Sequence, residues 1–388
     1  MLNRRREQLG PIAIDLGASR VKMVQLALRD GHPALHAWAE LCPPAELDLG
    51  ARDAWLRTAI AETLRQRGFR GRRVATALGP GEFELKNIRL PSMPLNEIQQ
   101  AAVFEAEDRF GLTPEQAEFR TLVAGQVRQG NDTREEVIVL AARHDQIMRR
   151  LELFDAIGLD AIAIDVAPMA TGRCFVRFLR RAEDAASVNV FLDVGWRGTS
   201  LTVTRGAEVC FAKLFDVGGE TMARAVAARL DMPLAEAHSL RVRVLQASAG
   251  RRTDPRPAGI QSELIESVSD AIRPALDQLA REVHLCLRYF SVTFRGQRPD
   301  CLTFVGGEAR EPTLIPVVAD GLDIPCTVGD PLRGLDGTSA LINRCGRSMQ
   351  PAWAVAVGLA LRNLVSAPSP TPPAGTNSEP RVHAEAAP

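Results

Sequence analysis

The apolar residues near the start of the chain predict a strand, a turn and a second strand. The stretch IAIDLGASRVKMVQL, from Ile12 to Leu26, has two apolar runs separated by Asp-x-Gly and a few small residues. Apolar runs of this length between turn residues are typical of buried strands. The RDGHP that follows has Asp-Gly at its centre, which favours a tight hairpin into a third strand.

The same pattern returns in the second half of the chain. The stretch VNVFLDVGWRGTSLTVTRGAEVCFAKLFDV, from Val188 to Val217, again has an apolar run, Asp-x-Gly, a short turn, a second run, a Gly-containing hairpin and a third run. Self-similarity of this kind indicates a repeated structural unit. We therefore predict an internal duplication.

Helical and strand patterns alternate between the two copies, which indicates an α/β fold. ARDAWLRTAIAETLRQRGF predicts a helix, RRVATALG a strand, and EEVIVLAARHDQIMRRLELFDAIGLDAIAID a strand, a helix and a strand. PLNEIQQAAVFEAEDRF places apolar residues on one stripe of a helix, which is typical of an amphipathic helix. We assign this helix to a small inserted subdomain.

Beyond the second copy the chain becomes mainly helical. VGGETMARAVAARL and PLAEAHSLRVRVLQ predict helices, and a long helix containing Pro274 is predicted from Ile260 to Phe290. CLTFVGGEAREPTLIPVVADGL predicts a buried strand, a Gly-Gly turn and a helix. PAWAVAVGLALRNL predicts a closing apolar helix, and the Pro-rich stretch from about Ser366 predicts a disordered tail.

Composition and charge exclude several classes of protein. The 47 basic and 47 acidic residues balance, so no charged field favours nucleic acid. Seven scattered cysteines without a Cys-x-x-Cys pair indicate neither a disulfide framework nor a zinc site, and we expect a reduced, cytosolic chain. The sequence has no signal-peptide pattern and no apolar stretch of about 18 residues, so we expect neither export nor a membrane span.

The two Asp-x-Gly turns have the chemistry of a phosphate site. Glycine lets backbone N–H groups approach an oxyanion, and a pair of carboxylates can hold a hydrated Mg²⁺. Asp15 and Asp193 are therefore the predicted metal residues, acting through water. The predicted phosphate-binding residues are Gly17, Ser19, Lys22, Gly195 and Thr199.

A third glycine turn, Gly306-Gly307, lies between a predicted strand and a helix. A backbone surface without side chains suits a purine, so this turn is the candidate adenosine site. A single Asp-x-Gly is weak evidence because such turns end many strands, and Gly218-Gly219 could simply begin a helix. Lys22 could equally be a solvated strand lysine. The joint pattern of two hairpins and a later strand-Gly-Gly-helix is far more specific.

These motifs resemble those of the actin-like ATPase superfamily and, within it, most resemble the PilM family of type IV pilus assembly proteins, relatives of FtsA. The finer matches are NEIQQAAVFEAEDRF, GLDAIAIDVAPMA, LFDVGGETMARAVAARLDMPLAEAHSLR and FVGGEAREPTLIPVV. The resemblance implies an actin-like two-lobed α/β fold, with duplicated ribonuclease-H-like domains around a nucleotide cleft and a small inserted α+β subdomain.

The resemblance also implies a division of the chain and a set of ligands. The first lobe would comprise 1–87 and 144–187, the inserted subdomain 88–143, the second lobe 188–348, the closing helix 349–365 and the tail 366–388. ATP and Mg²⁺ would lie in the cleft. Besides the residues named above, Gly219, Glu236, Arg241, Gly306 and Gly307 would contact the cofactor.

The sequence departs from the family in two places. Where relatives have Glu-Ala-Glu-x-x-Lys, this chain has Glu236-Ala237-His238-Ser239-Leu240-Arg241, which changes one acid and one ammonium near the purine. Trp196 and Arg197 fill a turn that is usually small. No residue is identified as a hydrolytic base, although Asp165 follows an apolar strand and has the right chemical type.

The function implied by the resemblance is that of a cytoplasmic ATP-binding adaptor at the inner face of the inner membrane, at most a slow ATPase. It would bind the cytoplasmic N-terminal segment of a PilN-like inner-membrane protein and couple the membrane alignment complex to the pilus motor; a homo-oligomer is compatible with this role. The alternatives are a small-molecule kinase of the same superfamily, for which no second polar pocket is indicated, and an FtsA-like or type II secretion scaffold.

Overall fold

The computed structural model describes residues 8–364 except 45–46, 130–131, 251–261, 295, 346 and 363. The predicted tail, 366–388, lies outside the described residues. Up to residue 176 the elements are β1 (Gln8–Leu16), β2 (Val21–Arg29), β3 (His32–Leu41), α1 (Leu49–Gln66), β4 (Arg73–Leu78), β5 (Glu84–Pro91), α2 (Leu95–Phe110), β6 (Ala117–Gln129), β7 (Asp132–Arg143), α3 (His144–Asp155), β8 (Asp160–Val166) and α4 (Ala167–Val176).

The second part of the chain begins after a short 3-10 turn, Ala182–Ala186. Its elements are β9 (Val188–Val194), β10 (Thr199–Arg205), β11 (Glu208–Phe215), α5 (Gly219–Leu230), α6 (Leu234–Gly250), α7 (Ser262–Thr293), β12 (Cys301–Val305), α8 (Leu314–Ala319), β13 (Cys326–Val328), α9 (Ser339–Cys345) and α10 (Ala354–Ala360), with a 3-10 turn, Arg347–Trp353, before α10. No helix of the described residues is long and apolar enough to cross a membrane.

Two five-stranded sheets confirm the predicted duplication. The first has the order β3-β2-β1-β4-β8 and the second the order β11-β10-β9-β12-β13. In each sheet the first three strands are antiparallel and the remaining pairings are parallel. The hairpin between β2 and β3 turns at Asp30 and Gly31, whose φ angles of 53° and 82° are those of the tight turn that Asp-Gly favours.

The first sheet is covered on both faces. Along β1, Ile12 and Ile14 pack with α1 and α3, whereas Ala13 packs with α4 and α10. This alternation is the two-residue period of a strand. The closing helix α10 approaches α4 closely at Gly358, where a Cβ would collide with the Ala170 carbonyl. The last helix therefore returns to the first sheet, and it is shorter than the predicted 349–365.

The inserted segment forms a third sheet, in the order β5-β7-β6, between α2 and the second lobe. On β5, Ile88 and Leu90 pack in the same core as α2, whereas Leu85 packs in the core of the second lobe. β7 alternates likewise, with Val137 on the α2 side and Ile138 on the second-lobe side. The sheet is thus buried on both faces.

A polar network accompanies this contact with the second lobe. Asn87 donates from Nδ2 to the Ala212 carbonyl of β11 at 2.8 Å. Arg89 donates from Nε to the buried carboxylate of Glu136 at 2.9 Å, and Tyr289 of α7 donates its hydroxyl to the same carboxylate at 2.9 Å. The contact therefore combines apolar packing with hydrogen bonds to a buried charge. The residue numbers that divide the lobes stay a prediction.

Candidate functional site

A cavity of about 440 Å³ lies between the two Asp-x-Gly hairpins. Nine of the predicted site residues line it: Asp15, Gly17, Ser19, Lys22, Asp193, Gly195, Arg241, Gly306 and Gly307. They come from four separate parts of the chain, which the duplicated sheets bring together. The cavity is within the range of about 300–1,000 Å³ that ligand pockets occupy in proteins.

The first hairpin places a carboxylate beside an ammonium. Asp15 and Lys22 are direct cross-strand partners on β1 and β2, and Lys22 Nζ lies 3.8 Å from Asp15 Oδ2. Burial raises the pKa of Asp15 above its usual value, while the charges of Lys22 and Arg150 act in the opposite direction. The lysine therefore stabilises an otherwise costly buried carboxylate.

The turn of the first hairpin is held by an arginine from α1. Arg52 donates from Nη2 to the Gly17 carbonyl at 2.8 Å and from Nη1 to the Ala18 carbonyl at 3.0 Å. At Gly17 a Cβ would lie 2.6 Å from the Arg20 carbonyl oxygen, so a larger residue would force the turn to shift. The turn is thereby compact, and its backbone borders the cavity.

In the second hairpin, no cationic side chain among the described residues lies within hydrogen-bonding distance of the Asp193 carboxylate. Thr171 of α4 donates its hydroxyl to Asp193 Oδ2 at 3.2 Å. Burial and the nearby charge of Asp15 raise the pKa of Asp193 to about 6, a change that the Thr171 hydrogen bond and the charge of Lys22 only partly oppose. A carboxylate whose proton affinity is raised by a neighbouring carboxylate is a favourable site for a divalent cation.

The turn of the second hairpin is held by the backbone at the start of α5. The Gly219 N–H donates to the Gly195 carbonyl at 2.9 Å, and the Glu220 N–H donates to the Trp196 carbonyl at 2.8 Å. The Trp196 indole meets the His238 ring of α6 edge-on, with centroids 4.3 Å apart. Burial lowers the pKa of His238. The large Trp196 thus packs against α6 at the cavity wall.

The third glycine turn lies directly against Asp193. Gly306 has a φ of 95°, and a Cβ there would collide with Asp193 Oδ1 and the Val194 carbonyl. At Gly307, by contrast, a Cβ would meet no atom within 4 Å. The first glycine is required by the packing of the turn. The second presents open backbone to the cavity.

The guanidinium of Arg241 is buried and forms hydrogen bonds with other parts of the protein. It is only 3% exposed and donates to the Gly219 carbonyl at 2.9 Å, to Glu308 Oε2 at 2.8 Å and to Glu311 Oε2 at 3.1 Å. It therefore joins the start of α5 to the loop that follows the Gly306-Gly307 turn. Arg241 lines the cavity, but its main contacts are with these structural partners.

Three predicted site residues do not line the cavity. Thr199 is fully buried and donates its hydroxyl to the Val217 carbonyl at 2.6 Å. Gly219 is buried: its N–H donates to the Gly195 carbonyl, and its carbonyl accepts a hydrogen bond from Arg241. Glu236 is exposed in the first turn of α6. The other nine predicted residues line the cavity, whereas Thr199 and Gly219 are buried away from it and Glu236 is exposed to solvent.

Asp165, the acid considered as a hydrolytic base, lies outside the cavity. It is held between Arg173 and Arg362, at 2.8 and 2.9 Å. Within the described ranges, no group of three or more His, Cys, Asp or Glu side chains could hold a metal ion by itself. A cation at this site would need water and ligand oxygens in addition to Asp15 and Asp193.

Sequence reasoning missed the residues that support the site from a distance. Arg52 holds the first turn, Thr171 orients Asp193, and Glu308 and Glu311 bind Arg241. Arg52 and Thr171 belong to no glycine motif and reach the site from helices, whereas Glu308 and Glu311 follow directly after the Gly306-Gly307 turn.

The comparisons with known proteins agree with this geometry. The profile of the family described as "Type IV pilus assembly protein PilM" matches residues 13–364. A solved "PilM-PilN type IV pilus biogenesis complex" contains a chain 26% identical to this one, with 93% of this chain and 100% of that chain covered and a TM-score of 0.72.

A more distant structure shows similarity in fold alone. Ethanolamine utilization protein EutJ from Carboxydothermus hydrogenoformans is 13% identical, with 91% of this chain and 89% of that chain covered and a TM-score of 0.53. No protein with a curated description matches the sequence significantly. The predicted actin-like two-lobed fold is confirmed, and the chain belongs to the PilM family of type IV pilus assembly proteins.

Proposed function

We propose that this chain is an ATP-binding adaptor of type IV pilus assembly, with the nucleotide in the cavity between the two hairpins. The observation that carries the proposal is the pair of carboxylates, Asp15 and Asp193, at the wall of that cavity. Burial and the charge of Asp15 together raise the pKa of Asp193, which makes the pair costly without a cation. Magnesium held by both through water would neutralise them when MgATP binds.

The backbone around the cavity fits the rest of the nucleotide. Gly17, Ser19 and Gly195 border the space next to the carboxylates, where N–H and hydroxyl groups are suitable donors to phosphate oxygens. Lys22 lines the same cavity beside Asp15 and adds positive charge. Gly307 leaves open backbone for the adenosine. Asp165, the acid considered as a hydrolytic base, lies outside the cavity, so binding is the main output in this proposal and turnover is slow.

The proposed partner is the cytoplasmic N-terminal segment of a PilN-like inner-membrane protein. The support is the similarity to a chain solved in a PilM–PilN complex. A crevice between α1 and α3, next to the inserted sheet, offers a place for it, because Leu49, an apolar residue that lines the crevice, is 60% exposed. Arg52 lines this crevice and the nucleotide cavity alike, so the two sites share a side chain.

In this role the protein would lie at the inner face of the inner membrane, held there by its partner. Closure of the lobes on ATP would alter the α1 side of the crevice through Arg52 and Asp53, which pairs with Arg149 of α3 at 2.7 Å. The adaptor would thereby connect the membrane alignment complex to the cytoplasmic motor.

Calorimetric titration of ATP with and without Mg²⁺, followed by a timed phosphate-release assay, tests nucleotide binding. We expect Mg²⁺-dependent binding with negligible release. Asp15→Ala and Asp193→Ala should each abolish that binding with unchanged circular dichroism, whereas the exposed Asp270→Ala on α7 should bind as the unmodified chain does. Retained micromolar affinity in both site variants would refute the assignment, and rapid phosphate release would favour a kinase.

A synthetic N-terminal segment of the PilN-like protein from the same organism tests the partner. Fluorescence anisotropy should show binding that Leu49→Lys weakens at least tenfold, because a charge replaces an apolar contact. Thr58→Lys, on the exposed side of α1, is the matched control. Equal binding by both variants would place the segment elsewhere.

A further inference from the structure

Large apolar side chains that remain exposed gather on a few helices of the described chain. Leu49 lines the crevice between α1 and α3, Met148 lies on α3, and Leu95 lies at the start of α2. The remaining four are Phe104 on α2 and Leu285, Tyr289 and Val292 on α7. Phe104 and Val292 are 76% and 79% exposed, which is costly for side chains of this size unless another surface covers them.

The exposed side of α2 is acidic around its apolar residue. Glu97, Phe104 and Asp108 are spaced by seven and four residues and so share one face of the helix. All three are exposed, and no salt bridge to Glu97 or Asp108 forms within the part of the chain described here. We call this surface the α2 face: Glu97, Phe104 and Asp108.

The exposed side of α7 is basic around its apolar residues. Arg281, Leu285, Arg288 and Val292 follow one another at intervals of four, three and four residues, again on one face. All four are exposed, and neither arginine forms a salt bridge with any described residue. We call this surface the α7 face: Arg281, Leu285, Arg288 and Val292.

The two faces match in length and are opposite in charge. Each spans eleven residue steps, or about 16 Å of helix. Placed antiparallel, Phe104 would meet Leu285, Asp108 would meet Arg281, and Glu97 would lie beside Val292 within reach of Arg288. We propose that the α2 face of one molecule docks on the α7 face of a second copy of this chain.

The α2 face and the α7 face cannot pair within one molecule. The proposed contact between two molecules is therefore head-to-tail. α2 packs on one face of the inserted sheet through Ile88 and Leu90, while α7 lies on the opposite side, where Tyr289 meets Arg89 and Glu136. A contact that joins two different surfaces leaves one surface of each type unpaired at the ends. It therefore extends to further copies or closes into a ring.

The association should be weak in dilute solution. One helix pair of this length buries less than the roughly 1,200 Å² of typical stable complexes. Its ion pairs are exposed, so salt should weaken it further. Because the contact is weak, copies held at high local density by a membrane partner would associate most. The contact involves no cavity residue and does not depend on nucleotide binding.

Sedimentation velocity of the full chain over a wide concentration range tests the proposal, with two variants that each remove one face. Phe104→Ser keeps the α7 face, and Leu285→Ser keeps the α2 face. The unmodified chain should form dimers and larger species as concentration rises, and each variant alone should associate at least tenfold more weakly. Met148→Ser, which removes an exposed apolar side chain outside both faces, should associate as the unmodified chain does.

Mixing the two serine variants gives the decisive result. One intact face on each partner should allow heterodimers of one copy of each variant and nothing larger. A charge exchange tests the pairing, since Asp108→Arg and Arg281→Asp should each weaken association and the double variant should recover it. Monomers at every concentration, association unaffected by the serine variants, or a mixture without heterodimers would each overturn the proposal.

Discussion

The hairpins β1–β2 and β9–β10 occupy equivalent places in two sheets of the same order, yet they hold their turns differently. In the first, the turn carbonyls accept hydrogen bonds from the side chain of Arg52. In the second, they accept hydrogen bonds from backbone N–H groups at the start of α5. The duplicated fold reproduces the position of each turn but not the groups that stabilise it.

The two aspartates differ in the same way. Asp15 has a lysine as its cross-strand neighbour, whereas the partner of Asp193 across the strands is Ser200. Asp193 also lies against the Gly306 turn, while no comparable glycine presses on Asp15. Equivalent backbone therefore supports unequal electrostatics: the charge of Asp15 helps to raise the pKa of Asp193 to about 6, whereas Lys22 opposes the rise in the pKa of Asp15.

The largest expected difference between the lobes concerns the glycines that follow the central parallel strands. Gly306 follows β12, and a Cβ there would collide with Asp193 at a φ of 95°. Gly306→Ala should lower the free energy of unfolding by about 3 kcal/mol, since strain and steric overlap add. Chemical denaturation would measure it.

The matched control is Gly79, which follows β4 in the first lobe. A Cβ there would have only Glu82 Oε2 within 4 Å, at 3.8 Å. Gly79→Ala should therefore change the free energy of unfolding by well under half as much. If Gly306→Ala and Gly79→Ala lowered the free energy of unfolding equally, close packing against Asp193 would not distinguish the two lobes.

The next effect is on the pH dependence of stability. The pKa of Asp193, about 6 in the folded protein, exceeds the usual value of 3.8. Between these values the folded state binds more protons than the unfolded state, so stability falls as pH rises from about 4 to 6. Allowing for partial exposure of the side chain, the loss is about 2 kcal/mol.

Asp193→Asn should remove that loss. The variant should be more stable than the unmodified chain at pH 7.5 and nearly equal to it at pH 4, as measured by denaturation at each pH without nucleotide. Addition of Mg²⁺ with ATP should stabilise only the unmodified chain. A variant that is less stable at pH 7.5 would show that Asp193 is already neutralised by the charges around it.

The smallest effect concerns the first turn. Arg52→Ala removes two hydrogen bonds to turn carbonyls, so we expect a loss of about 1 kcal/mol in unfolding free energy and faster hydrogen exchange at residues 17–20. Arg57→Ala, on the exposed side of the same helix, controls for the loss of a charge. Unchanged exchange in Arg52→Ala would show that the turn is held by its backbone alone, as in the second lobe.

Much of the fold followed from periodicity. The two hairpins, the helix α2 and the strand-helix-strand unit β7–α3–β8 have strong local patterns, and all were predicted. Strands β5 and β6 were not predicted. In β5 the apolar residues are interrupted by the adjacent polar pair Lys86 and Asn87 and by Arg89, and Asn87 and Arg89 bond to other elements. A strand buried on both faces by different neighbours loses the alternation of polar and apolar residues that marks it.

The part of the site that was predictable from the sequence is the part formed by the backbone of glycine turns. Glycine turns at strand ends leave a pattern in the sequence, and nine of the predicted residues line one cavity. The placement of Thr199 was not predictable, because its hydroxyl is used by the Val217 carbonyl, a tertiary contact. Arg52 and Thr171 act on the site through single side chains from helices, which leave no motif.

The contact between the inserted sheet and α7 gives the protein a built-in optical probe. Tyr289 is the only tyrosine in the sequence, and its hydroxyl is engaged with Glu136 and Arg89. Burial and the Glu136 carboxylate raise its pKa. Tyrosinate absorbance during an alkaline titration therefore comes from one known position. An early rise in that absorbance would signal release of the inserted sheet from the second lobe, without any label.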